Sequence, residues 1–242
     1  MRLLVLLLAL GVIGRNNAAR PGALEVIDTF KQIVPKYLDT IGEDQQQIFK
    51  LQHEGTAALI QFHSDMVRVK ETFVRSITLQ EEKLLDLMNV QNTSVADGQC
   101  MQFIASAAKE TVNIIGVAYT TCVNKADESM GDTVLSYYGT IGTLEQTSTN
   151  VRLLDVFRGD NVFYTPYNIV TKLRQKETDL LGSRAPLETA LKVQKGEFEA
   201  DLEEIRTSYI ECMTIAEMSF RSYIELAHRQ LSYICGADLA NP

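Results

Sequence analysis

Between Ile48 and Leu87 the positions Ile48, Leu51, Gly55, Leu59, Phe62, Met66, Val69, Phe73, Ile77, Gln80, Leu84 and Leu87 recur at a 3.6-residue period, and ten of the twelve are apolar. A stripe of this length suits one face of a long amphipathic helix and cannot be a strand, where the inward face repeats every second residue. The run Thr40-Ile41-Gly42-Glu43 stands just before it with the S/T-x-x-E spacing in which hydroxyl and carboxylate each satisfy an orphan backbone N–H. A helix is therefore expected over about 43–92. Gly55 in its interior costs about 1 kcal/mol relative to alanine, so it marks either a bend or a close helix contact. A shorter helix is expected from Leu24 to about Leu38, interrupted or kinked near Pro35, which lacks the N–H donor and crowds the preceding turn.

The rest of the chain continues in the same style. Asn92 to Gly98 forms a break rich in turn residues. Helix resumes at about Gln99 with the stripe Cys100, Ile104, Ala107, Thr111, Ile115, Ala118 and Cys122, so both cysteines face one way. Gly131, Gly139 and Gly142 weaken its continuation, Gln146 to Asn150 is polar, and Val151 to Tyr164, containing Arg158-Gly159-Asp160-Asn161, is the least regular stretch. Thr165-Pro166 reads as an N-cap and first helical position, opening a helix to about Leu180. Gly182-Ser183 is expected to stop that helix, and Pro186 to open a last segment whose stripe runs from Leu187 through Phe198, Ile205, Tyr209 and Cys212 towards Cys235, with Gly236 as its stop. No sustained strand alternation exists. The fold class expected is all-α, an elongated antiparallel helical bundle whose heptads are too irregular for a simple coiled coil.

The N-terminus reads Met1-Arg2 followed by an apolar run from Leu3 to Ile13. That is too short to cross a bilayer, which takes about 20 residues, and it has the form of a secretory signal peptide cleaved after Gly14 or Ala19. A single all-α domain over 20–242 is expected to follow, with no transmembrane segment. Lys plus Arg number 23 against 31 Asp plus Glu, a formal charge of -8. This is the wrong sign for neutralising phosphates, and nucleic acid is not an expected partner.

Export changes the meaning of Cys100, Cys122, Cys212 and Cys235, because in an oxidising compartment an even count implies disulfides. No close pair of the kind zinc requires is present. The interval from Cys100 to Cys122 nearly equals that from Cys212 to Cys235, and in two antiparallel helices residues at one level have a nearly constant index sum. Cys100 and Cys235 add to 335, Cys122 and Cys212 to 334, which favours those two bridges as rungs about 33 Å apart. Two alternatives stay open. Cys100 with Cys212 and Cys122 with Cys235 needs a long crossover, and bridging within each pair needs a hairpin near Gly116 or Ser219. The favoured ladder has one geometric defect: the second interval does not return Cys235 to the face of Cys212, so that helix end must unwind or swing. A glycosylation sequon, Asn92-Thr93-Ser94, falls in the break between helices, where a glycan would be exposed.

A mostly helical exported chain with two widely spaced cysteine pairs, and the run Cys100-Met101-Gln102-Phe103-Ile104-Ala105 leading through Ala118-Tyr119-Thr120-Thr121-Cys122, resembles the insect TsetseEP-type domain. The resemblance covers roughly residues 90–236. It implies a secreted insect protein, with gut or immune association inherited from the namesake alone, and it carries over the four cysteines as framework residues. The chain lacks the Glu-Pro repeats of that namesake, so whatever those repeats do does not transfer. The resemblance brings no catalytic residues.

No element of catalytic or cofactor chemistry stands out. His53-Glu54 begins like a zinc-binding HExxH helix, yet no histidine occupies the fifth position, and His63 and His228 have no clustered ligands in sequence. Gly139-Thr140-Ile141-Gly142 lacks the Lys-Ser/Thr that a phosphate loop requires. Glu197, Glu199, Asp201, Glu203 and Glu204 read as a solvated helix face before a cation site. Tyr137, Tyr138, Tyr164 and Tyr167 read as bundle-end packing before a contact surface. The expectation is a non-enzymatic extracellular interaction protein without cofactor or metal, its partner an extracellular protein or a microbial surface. The competing expectation is a carrier of lipids or other small apolar ligands, with the long stripes lining a cavity.

Overall fold

The computed structural model describes residues 21–91, 97–149 and 152–237; the expected leader with both candidate cleavage positions and the sequon at Asn92 lie outside the described residues. Three long helices account for nearly all of it: α1 (Pro21–Gln91), α2 (Gly98–Thr149) and α3 (Pro166–Tyr233), with a short 3-10 helix (Leu153–Phe157) before α3. The described residues are 93% helical and include no strand, which establishes the all-α class with two disulfides.

Two expected interruptions are absent. α1 runs unbroken through Pro35 and through Thr40-Ile41-Gly42-Glu43, so no helix starts there. Its inward row, Val26, Phe30, Ile33, Tyr37, Thr40, Asp44, Ile48 and Leu51, keeps helical spacing throughout. Two members of that row are polar but buried, Thr40 at 7% exposure and Asp44 at 3%, and they hide its continuity in the sequence. α3 likewise passes through Gly182-Ser183 and Pro186. Leu180 and Leu187, two turns apart and both buried, keep the same face inward across that stretch. A proline inside a helix costs about 3 kcal/mol, and burying one or two large apolar side chains on the core face offsets it.

The chain falls into two compact units. The first comprises the chain up to Gln52 together with Gly139–Gln194. Its core is Val26, Phe30 and Ile33 of α1, Leu153 and Val156 of the 3-10 helix, and Ile169, Val170 and Leu173 of α3. The stretch that reads as irregular in the sequence thus supplies core residues. Ion pairs join Lys36 to Glu177 and Glu43 to Arg184. The two pairs keep one sequence offset, so α1 and α3 run parallel here.

The second unit comprises His53–Tyr138 and the chain from Lys195 onward. The same offset recurs in the ion pair Glu54–Lys195 and in the hydrogen bond from Ser76 to Glu217. α2 is antiparallel to both neighbours: Tyr137 lies against Gly55 and Tyr119 against Phe73 on one side, and the disulfides join it to α3 on the other. Gly55 marks a close contact. A Cβ there would stand 2.8 Å from the Tyr137 hydroxyl, and the Tyr137 ring stacks on Phe198 at 4.0 Å. Residues of α1, α2 and α3 thereby interlock in one layer, and burial pushes the pKa of the Tyr137 hydroxyl up to about 12.

Candidate functional site

Both bridges favoured by the index sums are present. Cys100–Cys235 has a Cα–Cα distance of 5.5 Å and Cys122–Cys212 one of 5.8 Å, within ordinary disulfide reach. The defect at Cys235 is resolved by local unwinding. The α-helix stops at Tyr233, the Cys235 N–H donates to the Gln230 carbonyl at 3.1 Å, and Gly236 turns the chain with φ +67°, a conformation glycine adopts freely. The start of α2 is tied to the same point. Asp97 Oδ1 accepts from the Gln99 and Cys100 N–H groups, while the Asp97 N–H donates to the Cys235 carbonyl at 3.0 Å. Leu84, Met88, Met101, Ile104, Ala227 and Leu231 bury this end from all three helices.

The clamped α2 turns one row inward, from Met101 and Ile104 through Ile115, Tyr119 and Ala126, and leaves large apolar side chains outside. Phe103, Ile114, Val117 and Leu135 are 71%, 58%, 68% and 74% exposed. Their spacings approximate whole numbers of helical turns, so the four side chains fall on one face. No charged residue occurs between Glu110 and Lys125. Within that run the Thr120 and Thr121 hydroxyls donate to the Gly116 and Val117 carbonyls, so their polarity is spent on the helix itself.

A polar layer lies within the same unit. Burial alone would raise Glu217, but hydrogen bonds from Ser76 and Arg221, together with the Arg221 charge, outweigh it and hold the carboxylate below its usual range. The Tyr119 hydroxyl is buried without a hydrogen bond among the described residues, and desolvation with the nearby Glu217 charge drives its pKa upward.

The remaining candidates are dispersed. His53 and His63 are exposed on α1 and His228 is half-buried on α3. Among the described residues no three His, Cys, Asp or Glu side chains gather in a metal-holding group. Glu197, Glu199, Asp201, Glu203 and Glu204 all face solvent on α3, as a solvated helix face should. The four tyrosines divide: Tyr137 is a core residue, Tyr138 is half-buried with its hydroxyl hydrogen-bonded to Thr56 at 2.9 Å, and Tyr164 and Tyr167 are 79% and 72% exposed. Thr165 does precede Pro166 at the start of α3, but its hydroxyl accepts from the Asn161 N–H, behind the helix rather than ahead of it. Asp160, in the Arg158-Gly159-Asp160-Asn161 turn, accepts from Lys172 and Asn168, and these hydrogen bonds lower its pKa. That carboxylate fastens the turn onto α3 and is not a free acid.

No helix among the described residues is long and apolar enough to cross a membrane. No family model, no curated protein and no solved structure matches the chain. The α1–α3 register was missed in the sequence, although opposite charges at one constant spacing, Lys36 with Glu177, Glu43 with Arg184 and Glu54 with Lys195, were available as a signal.

Proposed function

We propose that this chain is a secreted, non-enzymatic interaction module in which disulfide-clamped α2 offers its outer face to an extracellular protein. The observation that carries the reading is the exposed apolar pair Ile114 and Val117 in the charge-free stretch between Glu110 and Lys125, on a helix bridged at Cys100 and Cys122, with Phe103 and Leu135 on the same face beyond the charged residues that bound it. Large apolar side chains exposed together on an uncharged stretch of helix are what interaction sites show and what soluble monomers otherwise limit. A helix held by covalent rungs loses little freedom on docking, so less of the contact energy is spent on ordering it. The acidic charge, the disulfides and the signal-like leader suit an extracellular setting, and the TsetseEP-type resemblance, with its gut or immune association, belongs to this reading.

Substituting Ile114→Glu and Val117→Glu together tests it. Both side chains are exposed, so the fold should persist by circular dichroism. Capture from the native secretory fluid should recover a protein partner with the parent chain and lose it with the double variant. Recovery of nothing, recovery indifferent to the substitutions, or turnover of a substrate by the purified chain would overturn the reading. Carriage of apolar ligands has less support. The cavity between α1 and the 3-10 helix, lined by Phe30, Val34, Leu38 and Leu153, measures about 260 Å³, below the range of about 300–1,000 Å³ usual for ligand pockets, and the cleft of about 380 Å³ beside Cys122–Cys212 has Lys125, Asp201 and Glu204 in its lining, which does not suit an apolar cargo.

A further inference from the structure

We infer that a second copy of this chain docks antiparallel on the outer face formed by α2 and α3 between the two disulfide rungs, with Glu211 of each copy paired to Arg229 of the other. The inference rests on the docking role proposed for Ile114 and Val117, and it names the partner they meet. α3 carries an outer apolar row of its own, in which Ile215, Met218 and Leu226 are each exposed over more than half their surface. Ser219 and Ser222 are exposed between them, and their hydroxyls donate to the Ile215 and Met218 carbonyls, so here too the polarity is spent on the helix itself. The Glu217 carboxylate within this span is turned aside to Ser76 and Arg221.

Two observations select a second copy as the occupant. The first is self-complementary charge. Glu211 and Arg229 are exposed, and neither enters an ion pair among the described residues. Their spacing is five whole helical turns, so they project from the same side of α3, about 27 Å apart and beyond each other's reach within one chain. Two copies of α3 laid antiparallel bring together residues whose numbers add to a nearly constant value. Glu211 and Arg229 add to 440, Met218 and Ser222 to 440, and Ile215 and Leu226 to 441. One register therefore sets acid against base and apolar against apolar, with Ser222 opposite Met218. A two-fold axis at residue 220 makes every such contact twice, as an isologous interface requires. By the rung sums Ile114 stands level with Phe220, so the Ile114 side chains of the two copies meet beside that axis.

The second observation is area. At about 100 Å² each, Ile114, Val117, Ile215, Met218 and Leu226 offer roughly 500 Å² of apolar surface per copy. A standard interface takes about 800 Å² per partner, of which about 60% is apolar, so this face carries the apolar share that one copy needs from another.

Sedimentation velocity on the full-length oxidised chain tests the pairing, with circular dichroism to confirm that each variant keeps its helices. A dimer in reversible equilibrium with monomer is expected at about 10–100 μM. Ile215→Glu with Leu226→Glu, both at exposed positions, should raise the dissociation constant about a hundredfold. Glu211→Arg should raise it about tenfold, since two pairs of like charges then face each other. Glu211→Arg with Arg229→Glu should restore the parent affinity, because each exchanged residue meets its exchanged counterpart on the other copy. A monomer throughout, a dimer indifferent to Ile215→Glu/Leu226→Glu, or no recovery in the double exchange would each overturn the pairing. The docking reading can fail separately. A monomer that captures a different protein through Ile114 and Val117 overturns the pairing alone, whereas a dimer restored by the exchange but unmoved by Ile114→Glu/Val117→Glu upholds the α3 pairing and removes the α2 face from it.

Discussion

The two units use the same helices and hold them by different means. In the second, the disulfides at Cys100–Cys235 and Cys122–Cys212, the Gly55–Tyr137–Phe198 layer and the Ser76–Glu217–Arg221 layer join all three helices. In the first no cysteine is present, both internal prolines occur, and the 3-10 helix contributes to the core. There the joining is by apolar burial and by ion pairs such as Lys36–Glu177, with 60% of the lysine side chain exposed. Exposed pairs of this kind contribute about 0–1 kcal/mol each. Covalent restraint therefore coincides with the unit that carries the outer α2 face, and the other unit depends on packing and exposed ion pairs.

The largest expected effect sets the units apart most sharply. Cys122→Ser with Cys212→Ser removes a bridge that closes 90 residues, which loop entropy values at about 4–5 kcal/mol. Hydrogen exchange should accelerate around Tyr119, Ala126 and Tyr209 and change little around Phe30, Ile33 and Leu173. Equal acceleration in both sets would show one cooperative body and erase the contrast. Next comes Gly55→Ala, which forces a methyl group against the Tyr137 ring and should destabilise the second unit by about 1–3 kcal/mol, read from urea unfolding. An unchanged midpoint would mean that the ring moves aside freely.

Pro35→Ala works in the opposite direction. It restores the donor missing from α1 and should stabilise the first unit by about 2 kcal/mol, the helical gain being partly offset by greater freedom of the unfolded chain. Failure to raise the stability of that unit would show that α1 already accommodates Pro35 at little cost.

The smallest effect concerns Asp44, whose pKa is raised because burial outweighs the nearby Arg184 charge, with Glu43 adding to the rise. A carboxyl with a raised folded-state pKa favours the fold fully below its unfolded value and loses that contribution as pH rises through the folded value. Asp44→Asn should therefore raise the melting temperature at neutral pH and converge on the parent as the medium is acidified below the ordinary carboxylate range. Parallel pH profiles for the two chains would remove Asp44 as a source of weakness in the first unit.

Much of the architecture was legible in the residues. Apolar periodicity established that the elements are helices, and the index sums of the cysteines pointed to the pairing, because an antiparallel register is arithmetic once both segments are helical. The exit near Gly236 and the break before Gln99 were also readable, since each depends on local turn chemistry. What tertiary structure decided is where helices do not end. Pro35, the Thr40–Glu43 run and the Gly182–Pro186 stretch each carry a local stop or start worth at most about 3 kcal/mol, and burial of Ile33, Ile48, Leu180 and Leu187 on a continuous face outweighs it. The parallel α1–α3 register, the burial of Asp44 and the unpartnered Tyr119 hydroxyl likewise depend on which side chains meet across helices. A one-dimensional pattern specifies which face turns inward; only packing specifies what that face meets.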